Sequence, residues 1–511
     1  MTSHQIVMLI AIAIYLLFMI GVGIMFAKRN NTSDDFYLGG RRLGPLVTAM
    51  SAEASDMSSY LLMGVPGLAY LCGIAEAGWT AIGLAVGTYL NWLIVAKRIR
   101  RYSLVADNSI TIPEFFSKRF HDKRNILTCV AAIVIITFFV PYTASGFAAC
   151  GKLFNSLFGV DYMTAVVFSA IVIVGYTVLG GFLAASTTDL VQSCLMTAAL
   201  IVVLCFGVSA AGGLDVVVEN AKALPGYLDM TAGYDAVSQS AGTYGFIAVV
   251  STLAWGLGYF GMPHILLRFM AIKDEKKLTL SRRIASIWVV ISLFIAIFIG
   301  VVGLAMSAEN VLPVLEGSSS ETVIVQIASL IAQHGWFAAV VGGLIIAGIL
   351  AATMSTADSQ LLAASSSLSQ NLLRDFFGIK MSGKTMMLLA RLTVVGIAVL
   401  ALFLAKNPDS SVFRIVSFAW AGFGAAFGPV VLFSLFWRRM NMSGALAGML
   451  VGGIAIFVWK FQIRPLGGAW DIYELLPAFI LASLAIVIVS LVTKAPSKEI
   501  TDDFDRVAAM K

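Results

Sequence analysis

Residues 51–67 read Ser-Ala-Glu-Ala-Ser-Asp-Met-Ser-Ser-Tyr-Leu-Leu-Met-Gly-Val-Pro-Gly, inside an otherwise apolar run over 46–71. A run of about 20 mostly apolar residues is long enough to cross a bilayer as a helix. This one carries Glu53, Asp56, four serines and a Gly/Pro cluster at 64–67. A charge at mid-bilayer costs at least roughly 2.5–3.5 kcal/mol. Both acids must therefore face protein, water or a cation, or stand in a wet inner vestibule with the helix starting after them. Proline removes a backbone donor and crowds the preceding turn, so a continuous helix is not expected here.

A second interrupted run follows the same pattern. Residues 255–264 read Trp-Gly-Leu-Gly-Tyr-Phe-Gly-Met-Pro-His, three glycines and a proline inside a run over 244–270. A packing face of small residues with a proline kink is the plainer reading. A third segment, 351–359, reads Ala-Ala-Thr-Met-Ser-Thr-Ala-Asp-Ser. Ala352, Ser355, Thr356 and Ser359 share one stripe of a helix. Hydroxyls on such a stripe either glue helices together or, with carbonyls freed by a broken neighbour, replace the water around a small hard cation. Asp189 and Asp358 add acidic candidates.

The whole chain explains why polar residues in these runs matter. Of 511 residues, 59% are hydrophobic and 12% charged, with a mean hydropathy of +0.91. Soluble domains carry near 25% charged residues, so a soluble multidomain enzyme, a disordered chain and a nucleic-acid binder are excluded. Four histidines and five cysteines (Cys72, Cys129, Cys150, Cys194 and Cys205) without CxxC spacing offer no metal site or disulfide framework; buried free thiols are expected. No nucleophile–base constellation is visible, and no enzyme activity is expected.

Thirteen runs qualify as membrane spans: 6–27, 46–71, 74–96, 126–157, 164–180, 190–211, 244–270, 284–306, 336–361, 385–405, 412–435, 444–458 and 476–492. The first is not a cleavable signal, because Lys28 and Arg29 follow its apolar stretch. With the N-terminus outside, all basic residues but Lys152, Lys222, Lys406, Arg414, Lys460 and Arg464 fall on inner segments, as the positive-inside rule requires. The net charge of +6 thus records topology. The broken second and seventh spans lie five apart, the mark of two five-span inverted repeats with a site at mid-membrane. Residues 378–385, Gly-Ile-Lys-Met-Ser-Gly-Lys-Thr, match the phosphate-loop pattern. That loop needs a strand leading in and a soluble α/β domain; here a span follows at once, so no nucleotide is expected.

Four segments together resemble the sodium/solute symporter family, most of all its sodium/proline branch. They are Ala54-Ser55-Asp56-Met57-Ser58 through Gly64-Val65-Pro66-Gly67, the Trp255 to Pro263 stretch, Met354-Ser355-Thr356, and 419–429, Ala-Trp-Ala-Gly-Phe-Gly-Ala-Ala-Phe-Gly-Pro. The resemblance covers nearly the whole chain. It implies an all-α membrane protein of 13 transmembrane helices with a LeuT-like five-plus-five inverted-repeat core. Residues 1–43 would form the extra N-terminal helix and inner loop, 44–212 and 213–437 the two repeats, and 438–511 two further helices and a cytoplasmic tail.

It also implies sodium-coupled symport of L-proline across the plasma membrane by alternating access, with membrane lipid as surroundings. Sodium would be held by carbonyls of Ala54, Met57 and Ala352 and hydroxyls of Ser355 and Thr356. Asp189, Asp358 and Ser359 would stand where some members bind a second cation. Asp56, Ser58, Tyr142, Trp255, Tyr259 and Pro263 would line the substrate pocket, as would Ser59 and Tyr60. Ser59-Tyr60 departs from the Gly-Trp of proline carriers, and Glu53 replaces a small residue. Another small solute (amino acid, carboxylate, sugar or vitamin) and proton coupling through Glu53 or Asp358 therefore stay open.

Overall fold

The computed structural model describes residues 2–27, 33–235, 238–408 and 411–510; Lys28, Arg29 and Lys511, counted above among the inner basic residues, lie outside them. The described residues are mostly helical. Among the described residues the only strands form a short antiparallel hairpin, Ala232–Asp235 against Ser240–Thr243.

Among the described residues, ten helices are long and apolar enough to cross a membrane, or eleven when Phe246–Gly261 and Pro263–Ala271, bent by 47°, count as one span. Two features separate this number from the thirteen runs of the sequence. The fifth and sixth runs lie in one helical stretch, Tyr162–Ala210, interrupted at Gly181 (φ 61, ψ −167). At 1.5 Å per residue its 49 residues cover about twice the ~30 Å hydrocarbon layer. The second run is divided into Pro45–Ser59, a wider turn Tyr60–Gly64, and Val65–Cys72, and its acids and serines dilute its apolarity.

The break in the second span is not at its Gly/Pro cluster. Gly64 is helical (φ −63), and Pro66 stands in the first turn of the next helix, where its missing N–H costs nothing. The non-helical residue is Ser58, with φ 48 and ψ −167. In the seventh span, Phe246–Leu253 tightens into Ala254–Gly261, Met262 is extended (φ −80, ψ 108), and Pro263 opens the helix Pro263–Ala271. The tight segment lies backbone to backbone on the third-span helix Ile74–Leu90. A Cβ at 256 would fall 2.2 Å from the carbonyl oxygen of Gly83, and one at 87 would fall 2.3 Å from that of Gly256. Only glycine permits that approach.

The ninth span, Trp336–Ser366, continues as a wider helix to Phe376, past its expected end. It packs against Tyr162–Ala210, Pro45–Ser59 and Ile126–Phe158 and is buried without interruption from Ile345 to Ser366. The first span, Ser3–Ala27, covers Tyr162–Ala210 and turns Ile10, Ile14 and Leu17 outward; an outward apolar face on a helix long enough to cross a bilayer suits contact with lipid. The five cysteines are free, but only Cys150 is fully buried, and Cys194 and Cys205 are exposed. The expectation of buried thiols fails there because apolar positions of a membrane helix can face lipid instead of protein.

All six segments assigned to the inner side meet at one end of the molecule. Leu43 bridges Ile272 main chain to main chain. Arg41 Nη2 donates to Ser109 O at 2.8 Å, and Arg100 Nε to Ile272 O at 2.9 Å. Arg119 Nε donates to Ser434 O at 3.1 Å, Asn125 Nδ2 to Asp375 O at 2.8 Å, and Arg438 pairs with Asp505 at 2.8 Å. At 378–385, helix rather than strand leads in, and Ser382 merely caps Gly383–Leu404 by accepting from the Thr385 N–H at 3.2 Å. No phosphate cradle forms.

Candidate functional site

The broken second span and the ninth span touch where their polar residues face each other. Ser355 Oγ donates to Ala54 O at 2.8 Å and stands 3.1 Å from Ala352 O; Thr356 Oγ1 stands 3.2 Å from Ala352 O. Four of the five residues expected to hold sodium are thus joined in one cluster of neutral oxygens. The fifth, Met57, lies at the break, where its carbonyl accepts from the Tyr60 N–H. All five are buried. Carbonyls and hydroxyls without a fixed counter-charge suit a small hard monovalent cation, so the donor set fits the expected ion.

One turn further along, the residues expected at a second cation position surround an arginine. Arg268, from Pro263–Ala271, places Nη2 at 2.6 Å from Ser359 Oγ, 2.8 Å from Ser55 Oγ and 3.2 Å from Asp189 Oδ2, and Nε at 3.0 Å from Ser51 Oγ. Ser51 Oγ also donates to Asp189 Oδ2 at 2.6 Å. Asp358 accepts from Tyr176 OH at 2.6 Å and from Ser359 Oγ at 3.0 Å. Asp189, Asp358 and Ser359 are therefore brought together, but around a side chain that sequence reading counted only as an inner-loop charge.

The substrate candidates gather on the other flank of the second span. Tyr259 OH donates to Asp56 Oδ2, and Tyr142 OH reaches Asp56 O at 3.4 Å. Tyr60 stacks on Trp255 at 5.4 Å and on Phe413 at 5.6 Å between ring centroids. The Tyr60 N–H donates to Ser58 Oγ at 3.1 Å, which helps hold the irregular turn. Ser59 and Pro263 are buried, yet their placement is explained by backbone geometry alone. Glu53 accepts from Trp92 Nε1 at 2.9 Å.

Sequence reading missed four further participants. Trp420 Nε1 donates to Trp255 O at 2.8 Å and fixes the indole's backbone. Phe413 closes the ring stack. Lys152 and Glu321 form a buried ion pair at 2.8 Å, with Glu321 also accepting from Ser411 Oγ at 2.9 Å and the Phe413 N–H at 3.3 Å. Lys152 carried a signal: a basic residue inside an apolar run, unexplained by topology, asks for a buried partner.

Residues 36–452 match the Sodium:solute symporter family. A sodium/proline symporter of Haemophilus influenzae is 43% identical over 98% of this chain and 97% of its own length. One of Escherichia coli is 42% identical over 96% and 94%, and the osmoregulated proline transporter OpuE of Bacillus subtilis 41% over 96% and 96%. Among solved structures, a Na+-coupled sialic acid symporter in a substrate-bound outward-open state superposes with a TM-score of 0.79 at 18% identity, covering 96% of this chain and 99% of that one. A nucleobase-cation-symport-1 family transporter in a closed conformation gives 0.54 at 14%, covering 92% and 98%. These last two likenesses are of fold.

Proposed function

We propose, for a chain that belongs to the sodium:solute symporter family, that it carries L-proline into the cell together with sodium by alternating access. The protein is a membrane transporter and not an enzyme, and sodium is its coupling ion. The observation that carries the reading is the link between Ser355 Oγ and Ala54 O at 2.8 Å, which sets hydroxyls of one span against carbonyls of a broken one.

The ion would be held by carbonyls of Ala54, Met57 and Ala352 and hydroxyls of Ser355 and Thr356. Sodium bridging the second and ninth spans favours whichever arrangement brings them together, which is population shift by a ligand. Asp56, Ser58, Ser59, Tyr60, Tyr142, Trp255, Tyr259 and Pro263 would form the solute pocket. Rings at Tyr60, Trp255 and Tyr259 suit an apolar pyrrolidine, and main-chain amides at the helix breaks suit a carboxylate. One charge moving through 100 mV supplies about 2.3 kcal/mol, and a tenfold sodium gradient about 1.4 more. Together these support roughly 500-fold accumulation at one ion per solute.

In this reading the chain crosses the plasma membrane thirteen times, with the N-terminus outside and the C-terminus in the cytoplasm. Residues 44–212 and 213–437 form inverted repeats, flanked by 1–43 and 438–511. The meeting of all six basic segments at one end supports the odd number.

Uptake of labelled L-proline into proteoliposomes tests the proposal. Accumulation is expected with an inward sodium gradient and not with choline in its place. Equal uptake in both would exclude sodium coupling, and no saturable proline uptake under the sodium gradient would point to a different solute, as the Ser59-Tyr60 pair allows.

A further inference from the structure

The end of the molecule that gathers the basic segments carries a cleft that neither the ion cage nor the solute pocket uses. It encloses about 480 Å3 and is lined by Arg100, Leu104, Lys273, Asp274, Glu275 and Lys277. One wall is the helix Ala96–Val105, which continues the third span, and the other is the segment leading into the eighth.

Arg100 decides the chemistry of this cleft. It is 8% exposed, and its Nε donates to Ile272 O at 2.9 Å. Its Nη1 is buried and, among the described residues, has no hydrogen-bond partner. A buried donor on a permanently charged group is costly to leave unpaired, so the position calls for an acceptor of negative charge. The two acids of the cleft are already committed. Glu275 accepts from Arg101 Nε at 3.0 Å and Nη2 at 2.8 Å, and Asp274 Oδ1 accepts from the Lys276 N–H at 3.0 Å. Lys277 stands at the opening of the helix Leu278–Ala308, where the macrodipole disfavours a cation. An anion in the cleft would reverse that penalty.

Beside the cleft the surface is apolar. Leu104 is exposed at its rim, as are Tyr89 and Leu93 on the third span and Leu280 and Ile287 on the eighth. These two spans pack on each other, and Arg282 covers the Tyr89 ring at 5.3 Å near their inner ends.

We infer that this cleft binds the phosphate of an anionic phospholipid from the inner leaflet, its acyl chains lying along the third and eighth spans, and that the bound lipid braces the main-chain bridge between Leu43 and Ile272. A guanidinium fork matches a phosphate, lysines add point charges, and basic pockets between spans on the cytoplasmic side suit lipid headgroups. A free phosphate would meet the same cations; the apolar rim favours the lipid. The Lys273 N–H donates to Leu43 O at 3.0 Å, and Arg100 already holds Ile272 O. A phosphate shared by these two side chains therefore favours the arrangement in which the bridge is closed.

Native mass spectrometry of the detergent-purified protein, titrated with phosphatidylglycerol, reads the first bound lipid. Lys273→Gln–Lys277→Gln changes two exposed side chains and is expected to weaken that binding roughly thirtyfold. Lys494→Gln–Lys498→Gln removes equal charge elsewhere on the inner side and is expected to leave it unchanged. Equal weakening in both double variants, or none in the first, overturns the site. Inorganic phosphate is expected not to displace the lipid; displacement, with thermal stabilisation of the lipid-free protein by phosphate alone, would assign the cleft to a free ion and overturn the lipid. Hydrogen–deuterium exchange in nanodiscs reads the bridge. Peptides containing Leu43 and Lys273 are expected to exchange more slowly with phosphatidylglycerol than with phosphatidylcholine alone, and equal exchange would overturn the bracing. These readouts follow bound lipid and backbone exchange, so they stand or fall independently of proline uptake.

Discussion

Ser355 Oγ donates to the carbonyl of Ala54 at 2.8 Å, four residues before Ser58 leaves the helical conformation. The bond joins the two spans at the place where one of them has lost its regular ladder. Removing both hydroxyls with Ser355→Ala–Thr356→Ala takes two neutral oxygens from the proposed ion. At about 1.5–3 kcal/mol for each contact to a charge, the sodium concentration for half-maximal uptake should rise at least roughly tenfold. Sodium activation curves of proline uptake check this, and an unchanged curve in a monodisperse double variant would discard the ion site.

Tyr259 OH donates a hydrogen bond to Asp56 Oδ2, so the carboxylate meets the pocket already oriented. Tyr259→Phe should leave the carboxylate one donor short and raise the KM for proline about tenfold, while Asp56→Ala should lose sodium stimulation. Initial uptake rates over a range of proline concentrations distinguish the two. A Tyr259→Phe variant with wild-type KM would place Asp56 outside solute binding.

The Lys152–Glu321 pair is buried on both sides, and Glu321 also anchors the start of Val412–Phe436 through Ser411 and Phe413. Breaking a buried pair by deleting one partner costs about 3–5 kcal/mol, whereas replacing both is far milder. Lys152→Met should lower the unfolding temperature in detergent by several degrees, and adding Glu321→Gln should restore most of it. Equal losses in the single and double variants would mean that the charge itself is not what the lysine contributes.

Arg438 holds the carboxyl of Asp505 below the ordinary carboxylate range through its hydrogen bond and charge. A depressed folded-state value means that the contact contributes fully above the unfolded pKa, near 4. It is lost as the pH falls through the lower folded value. The helix Lys498–Ala509 should therefore become more susceptible to pepsin as the pH drops below about 4. That increment should be smaller in Asp505→Asn, which has no titration to lose. The same pH response in both proteins would assign the anchoring of this helix to other groups.

The existence of the two broken spans was legible in the sequence, and their exact breakpoints were not. Glycine and proline announced an interruption near 64–67, but Pro66 is comfortable in the first turn of a helix, and the interruption falls on Ser58 at φ 48. Such a conformation is nearly glycine's alone and costs a non-glycine residue on the order of 1–3 kcal/mol; it is imposed by surroundings that no residue type encodes. The Ser355 and Thr356 stripe was visible because helical periodicity sets it facing one way. Arg268 escaped for the opposite reason. It lies near the end of an apolar run, where arginine is ordinary, and only the packed structure shows that it points inward to Asp189. Thirteen spans by apolar length and ten or eleven by helix differ where Tyr162–Ala210, interrupted at Gly181, holds two apolar runs and where carboxylates dilute the second run.

The bridge between Leu43 and Ile272 is made of peptide groups, with Leu43 taking a bond from the Lys273 N–H at 3.0 Å and giving one to Ala271 O at 3.2 Å. Any motion that parts these two segments must break a main-chain seam whose donors survive every substitution other than proline. The side chains that brace this seam are Arg41, which donates to Met270 O at 2.6 Å, and Arg100, which donates to Ile272 O at 2.9 Å, so side-chain substitution can loosen the seam's surroundings more readily than the seam.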